Sequence, residues 1–341
     1  MSVFQAFLFS AFSPRWMPPT VAGLRFPYAR VLLPRTRLAY IHVRNLLTDA
    51  KRDRSARVSA YVAVWLPEEF VVFYLLRGEV VNATIKDART ARAVGIATAL
   101  ERIPSEPEYG DICFHEADEQ QLACMFTSQS RPDEPWSPGM KVTDPAELFP
   151  YLNAVAFDGM MEIVAEDTVN YLVFNNGAVQ RAFLSTTHHG TTVDRVAKLF
   201  AREGKAEGTQ VRRWSGLEPL PTQAPPALLQ AYRELTAGLV ERLVADGREG
   251  APAIAEQARQ NLMAQHPPMG GFSFNGRPTD DVIADTPELT AAVGAWLKEV
   301  LFAGTDLEAS SPEAVLHDLT WGRRHMFQSA GLYERLPWKV L

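Results

Sequence analysis

Two stretches of this chain alternate in the same way. Residues 57–85, RVSAYVAVWLPEEFVVFYLLRGEVVNATI, hold Val, Tyr, Phe and Trp in two arms around Pro67, Glu68 and Glu69. The central proline and acids exclude a membrane span and predict two strands joined by a tight turn. Gly78 then breaks the second arm, and the pattern predicts a three-stranded antiparallel meander over roughly 58–65, 70–76 and 79–85. A helix is expected over 88–102 and a fourth strand at YGDICFHEAD. Upstream, AYIHVRNLLTDAK at 39–51 reads as a short helix or an entry strand.

The pattern restarts at Asp144. Asp144 as N-cap, Pro145 at the first helical position and Glu147 three residues after the cap predict a helix over DPAELFPYLNAVA. Residues 159–184 then match 60–85 without a gap, at an offset of 99 (60 to 159), with Gly177 on Gly78, Val179 on Val80 and Ala182 on Ala83. Only these three positions are identical, but the alternation and the turns agree, which predicts an internal duplication. A helix over about 191–203 and a strand at TQVRRW follow in the earlier order. In both halves the glycines Gly78 and Gly177 are expected in equivalent turns of positive φ.

Beyond Pro226 the period becomes helical. Leu228, Tyr232, Leu235, Leu239 and Leu243 form one stripe. APAIAEQARQNLMAQ predicts a second helix, and Asn275-Gly276 a turn. The third helix has Thr286 as N-cap, and the fourth starts with Ser310 and Glu313 spaced as a capping box and ends near Gly331. The expected fold is α+β: two antiparallel β-meander/helix repeats followed by an all-α C-terminal helical domain. The expected segments are an unstructured or mis-annotated extension at 1–37, a first repeat at 38–126, a linker at 127–144, a second repeat at 145–214, a linker at 215–226 and the helical domain at 227–341.

Composition adds limits. The chain of 341 residues carries 34 Lys+Arg and 40 Asp+Glu, a net charge of −6. Residues 1–60 hold ten Lys/Arg against Asp49 and Asp53, a balance of +8, so the remainder stands at −14. An acidic body argues against a broad nucleic-acid surface, whereas the basic end can touch an acidic partner. The opening MSVFQAFLFSAF has no preceding Lys or Arg and no clean cleavage site, so it does not read as a signal peptide. Cys113 and Cys124 are too few for a disulfide framework or a thiolate zinc cluster, and fit a reducing cytoplasm.

No motif names a reaction. His188 and His189, with Asp194, are the candidate metal ligands of a metal-dependent hydrolase, but no HxH or HxxxH spacing joins them. Alternation places Cys113 and His115 on one strand face, as a nucleophile–base pair needs, although a core thiol is the plainer reading. A small-molecule sensor with a pocket between the repeats is a third class. Neither a cofactor nor a metal is expected. In TWGRRHMFQSAGLYERLPWKV, residues Trp321, Arg323, Arg324 and Phe327 have the composition of an interface hot spot.

The second repeat, DPAELFPYLNAVAFDGMMEIVAEDTVNYLVFNNGAVQRAFL, resembles the bacterial PATAN family of signalling domains. Gly159 and Ile163 stand in the family's first strand, and Phe174, Gly177, Val179 and Ala182 in its F-x-x-G-x-[IV]-x-x-A segment. Residues 56–85 resemble a diverged copy: Leu75, Gly78, Val80 and Ala83 match, with Ala60 in place of the leading glycine. The likeness covers about half the chain and not the helical region. It implies a cytoplasmic, non-enzymatic adaptor or regulator acting by contact with another protein, and carries over no catalytic residue.

Overall fold

The structure, a computed structural model, describes residues 23–52, 57–87, 90–165, 167–185, 191–200, 209–274, 281–302 and 311–340. The chain divides into two compact units, one of Met1–Ala93 with Ala99–Leu220 and one of Val94–Thr98 with Pro221–Leu341. The fold is mixed α+β, with two antiparallel sheets and a helical C-terminal region.

In the first unit, the six-stranded sheet has the order β1 (Arg30–Arg37), β6 (Asp111–Glu116), β2 (Ala60–Trp65), β3 (Phe70–Leu76), β4 (Glu79–Lys86), β5 (Ala91–Val94). The four-stranded sheet has the order β10 (Gln210–Ser215), β7 (Gly159–Ala165), β8 (Thr168–Asn175), β9 (Ala178–Phe183). The registers correspond residue by residue at the offset of 99. Ala60 pairs with Leu75 and with Glu116; Gly159 pairs with Phe174 and with Ser215. A register shift falls between Tyr74 and Leu75 in one sheet and between Val173 and Phe174 in the other. Loop hydrogen bonds correspond too. Gly78 N donates to Val58 O (3.1 Å) and Gly177 N to Phe157 O (2.9 Å); Ala117 N donates to Ser59 O and Gly216 N to Asp158 O.

The β3–β4 turn has Arg77 at φ +53° and Gly78 at +79°; the β8–β9 turn has Asn176 at +49° and Gly177 at +77°. Two consecutive positive φ values make the tight turn that suits the strands' right-handed twist. Each glycine also lies against the helix before its sheet. A Cβ on Gly78 would stand 2.3 Å from Ala50 O of α1 (Val43–Arg52), and one on Gly177 would stand 2.4 Å from Asn153 Cα. Here α2 is Ile96–Glu101, α3 is Glu119–Ser130 and α4 is Pro145–Ala154, the helix that holds Asn153.

One face of the four-stranded sheet packs on α4 and α5 (Thr192–Phe200) through Leu148, Leu152, Ile163, Leu172, Val196 and Leu199. The other face joins the six-stranded sheet in one core. Tyr61, Val72 and Tyr74 meet Met160, Tyr171 and Trp214, together with Leu122, Cys124 and Met125 of α3. Enclosed by this core, α3 buries even Gln121, Thr127, Ser128 and Gln129.

Several expectations need correction. The extension at 1–37 is too long. Leu24 and Phe26 are buried, and β1 pairs with β6. Arg and Pro suit an edge strand, where Pro34 gives up no needed hydrogen bond and Arg30 and Arg35 pair with Glu116 and Asp111. Residues 1–22 lie outside the described residues. The helix over 88–102 is instead β5 and the shorter α2, because Asp87 Oδ1 accepts from Thr90 N (2.7 Å) and turns the chain back into a strand. The linker at 127–144 begins inside α3, a helix without a polar stripe to announce it. Asp144 caps α4 through Ala146 N (2.9 Å), but Glu147 accepts from Lys141 N and leaves the capping box unclosed.

In the second unit, α6 (Pro226–Ala245), α7 (Ala251–Leu262), α8 (Thr286–Phe302), α9 (Pro312–Thr320) and α10 (Arg324–Ser329) share a core around Trp296, whose indole donates to Ala255 O. All five stripe residues of α6 are buried. The N-cap of α8 is Asp285, accepting from Glu288 N (2.7 Å), not Thr286. Ser311 caps α9 through Ala314 N (3.2 Å), whereas Ser310 and Asn275-Gly276 lie outside the described residues. The expected fourth helix is two, α9 and α10, joined by the 3-10 turn Trp321–Arg323. The 215–226 linker gives Ser215 to β10 and Pro226 to α6, and Gln223 within it is buried.

Candidate functional site

The inner faces of the two sheets carry buried polar groups. Glu162 of β7, 3% exposed, accepts from the Arg212 guanidinium on the neighbouring strand β10. Burial, and then the nearby Arg212 charge, lower the Lys86 amine from its usual range. Tyr74 Oη lies 3.1 Å from Thr84 Oγ1, which donates to Gln129 Oε1 of α3 (2.8 Å), and Tyr171 Oη lies 3.3 Å from Ser128 Oγ. Burial raises both phenols, so they stay protonated. These contacts tie α3 to both sheets and satisfy polar groups that would otherwise be costly to bury.

Cys113 and His115 do share a face, with Sγ 3.9 Å from Nδ1. Burial pushes the thiol up to about 12 and the imidazole down to about 4. Both shifts favour the neutral pair, the reverse of what an activated thiolate needs. His115 Nδ1 instead lies 2.9 Å from Tyr61 Oη, whose hydroxyl also reaches Pro27 O. This contact helps anchor the residues that lead into β1.

His188 and His189 lie outside the described residues. Asp194 is occupied as a cap: it accepts from Thr191 Oγ1 (2.7 Å) and Thr191 N (3.1 Å), and these bonds hold its carboxyl below the usual range. Among the described residues no group of three or more His, Cys, Asp or Glu is placed to hold a metal.

The C-terminal surface is smaller than expected. Phe327 is fully buried and stacks on Tyr232 at 5.4 Å, so it belongs to the core of the helical unit; period-3.6 spacing turns it inward while its neighbours face out. Trp321 is 61% exposed and Arg323 pairs with Glu234 at 2.5 Å, while Arg324 is half-buried.

The sheet edges and clefts of the first unit offer more. Loop residues cover the edge of β10: Glu134 N donates to Arg213 O, Trp136 Nε1 to Val211 O, and Ser215 N to Glu134 Oε1. Pro34 and two register shifts interrupt β1, and β5 lies beyond β4. At the far side of the second sheet β9 is the last strand among the described residues, and its Ala178, Val179, Gln180 and Arg181 are exposed. Beside it runs a groove of about 600 Å³ lined by Phe149, Val179, Ala182, Val196 and Ala197. Arg181 at its rim is held by both carboxylate oxygens of Asp118, the N-cap of α3.

A second opening adjoins the groove between α4 and the β8–β9 turn, about 620 Å³, lined by Phe149, Pro150, Asn153, Ala154, Gly177 and Val179. The first half has a counterpart between α1 and the β3–β4 turn, about 480 Å³, lined by Lys51, Arg57, Leu76, Arg77, Glu79 and Val81. The two clefts correspond in place and differ in chemistry, one cationic and one apolar. The sequence signal for this was available in the offset of 99, which sets Lys51, Arg57 and Arg77 against Pro150, Ala156 and Asn176.

No protein-family model, curated protein or solved structure matches this chain.

Proposed function

We propose that the protein is a cytoplasmic, non-enzymatic signalling adaptor that works by contact with another protein, and that its first unit is a diverged internal duplication of a PATAN-like domain. The duplication is supported by strand registers, register shifts and turn hydrogen bonds that recur at one offset. The contact reading is carried by one observation: the edge strand β9 with its apolar groove. In the first sheet β5 lies against the corresponding strand, β4. By that precedent the occupant of β9 is an extended segment of a partner protein. Its main chain extends the sheet, and its alternate apolar side chains enter the groove. Supporting this, the Cys113–His115 pair and Asp194 are tied up in structural roles.

The test is quantitative co-purification with wild type and Val179→Arg. Val179 is exposed, so the arginine leaves the fold intact while placing a charge in the groove. Loss of one recovered protein with an unchanged melting temperature is expected. Equal recovery by both proteins would refute the β9 reading.

A further inference from the structure

We infer that the cationic cleft between α1 and the β3–β4 turn docks an acidic peptide segment of a partner protein. The inference names one partner chemistry and rests on the contact reading above, but it concerns a different surface from the β9 groove.

The cleft lining carries three cations and one acid. Lys51 Nζ stands 3.1 Å from Glu79 Oε1, which neutralises one of the three. Arg57 Nε donates to Lys51 O at 2.8 Å, near the C-terminal end of α1. That bond positions the guanidinium and leaves its other N–H groups for a ligand. Among the described residues neither Arg57 nor Arg77 has an acidic partner. Two guanidiniums at one cleft, with no acidic partner among the described residues, make a site suited to carboxylates, which they bind with paired N–H donors.

The other half serves as an internal control. At the corresponding positions it has Pro150 for Lys51, Ala156 for Arg57, Asn176 for Arg77 and Ala178 for Glu79. A helix end and a turn can therefore build this cleft with no charge at all, so the cations are not a requirement of the fold. Arg77 is the clearest case. It occupies φ +53°, a left-handed conformation that Asn tolerates better, and Asn stands there in the second half. A long cationic side chain held at a disfavoured backbone angle points to a use for that side chain.

The charge distribution agrees. Residues 1–60 carry +8 on a chain of −6, and Lys51 and Arg57 belong to that basic end. The cations are exposed, with the Lys51 side chain at 62%, so a single anion gains little in high dielectric. A run of several carboxylates spreads over Arg57, Arg77 and their basic surroundings and gains from each. This favours an acidic peptide over an isolated anion.

The experiment is a fluorescence-anisotropy titration of the full chain with a labelled hexaglutamate peptide, at about 20 mM and about 150 mM salt, where screening lengths differ by about threefold. The test variant is Arg57→Ala with Arg77→Asn. The control is Arg37→Ala with Arg44→Ala, which removes the same charge from exposed positions outside the cleft. Melting temperatures are recorded for both. The expected result is salt-sensitive binding that weakens about tenfold or more in the cleft variant and less than about twofold in the control. The inference is overturned by no binding at low salt, by an unchanged cleft variant, or by equal losses in the two variants, which would assign binding to the general field. Displacement of the peptide by inorganic phosphate at low millimolar concentration would overturn it in favour of a small-anion site. The titration does not involve Val179, so failure here with Val179-dependent partner recovery intact removes the acidic segment alone. Failure of the Val179 test with binding here intact removes the β9 reading alone.

Discussion

Gly78→Ala tests the helix–turn contact that both halves share. The added Cβ would meet Ala50 O at 2.3 Å and Arg57 Cα at 3.3 Å. Both are backbone atoms that no rotamer change removes. A φ of +79° costs an L-residue about 1–2 kcal/mol. Relieving the contact means moving the last turn of α1 by about an ångström, at the expense of buried Leu47 and Ala50, and such overpacking costs about 1–3 kcal/mol. The sum is about 2–5 kcal/mol. Gly177→Ala should fall in the same range, because its Cβ meets Asn153 Cα at 2.4 Å and Leu152 O at 2.7 Å. Gly139→Ala separates the two costs. It has φ +80° and no atom within 4 Å of its Cβ, so it bears only the backbone penalty of about 1–2 kcal/mol. Urea denaturation of the full chain gives each variant's overall cost, and hydrogen exchange of the β3–β4 and β8–β9 amides locates the effect of the two turn variants. Equal effects of Gly78→Ala and Gly139→Ala would refute the helix–turn contact. A Gly177→Ala effect limited to the backbone penalty would refute the equivalence of the halves.

Two further outcomes follow from the buried groups. The folded His115 titrates near 4, below its ordinary 6.5, so the unfolded chain binds the proton first. Its contribution to stability is present above about pH 6.5 and is lost as the pH falls toward 4. Urea denaturation across that range should show His115→Gln flattening this part of the loss; an unchanged slope would contradict the half-buried neutral imidazole. Arg212→Met leaves Glu162 buried without its cation and should cost about 3–5 kcal/mol, whereas Glu162→Gln with Arg212→Met should recover much of that. A double variant as unstable as the single one, by the same denaturation, would show that the pair is not the source of the cost.

Much of the fold was legible because alternation and turn residues carry it. The meander around Pro67 and Gly78, its counterpart at Gly177, and the α6 stripe from Leu228 to Leu243 all appear as read. What escaped depends on tertiary surroundings. Helix α3 has no polar face because two sheets enclose it, so its Gln, Ser and Thr residues looked like loop. Strand β1 looked like an extension because an edge tolerates Arg and Pro. Phe327 and Trp321 are six residues apart in one aromatic run, yet one is core and the other exposed, because Trp321 opens the 3-10 turn between two helices and Phe327 lies on the inner side of α10. The position of β9 left no motif, since which strand ends the sheet among the described residues depends on strand order and not on any residue type.

Photo-crosslinking in the native cell tests the central claim most directly. A photoreactive amino acid at Gln180, exposed on β9, is compared with one at Gln230, exposed on α6 of the other unit. The account predicts one discrete crosslinked protein at Gln180 that disappears when Val179→Arg is added and does not form at Gln230. No adduct at Gln180, or one that Val179→Arg leaves untouched, would contradict a protein that works through its β9 edge.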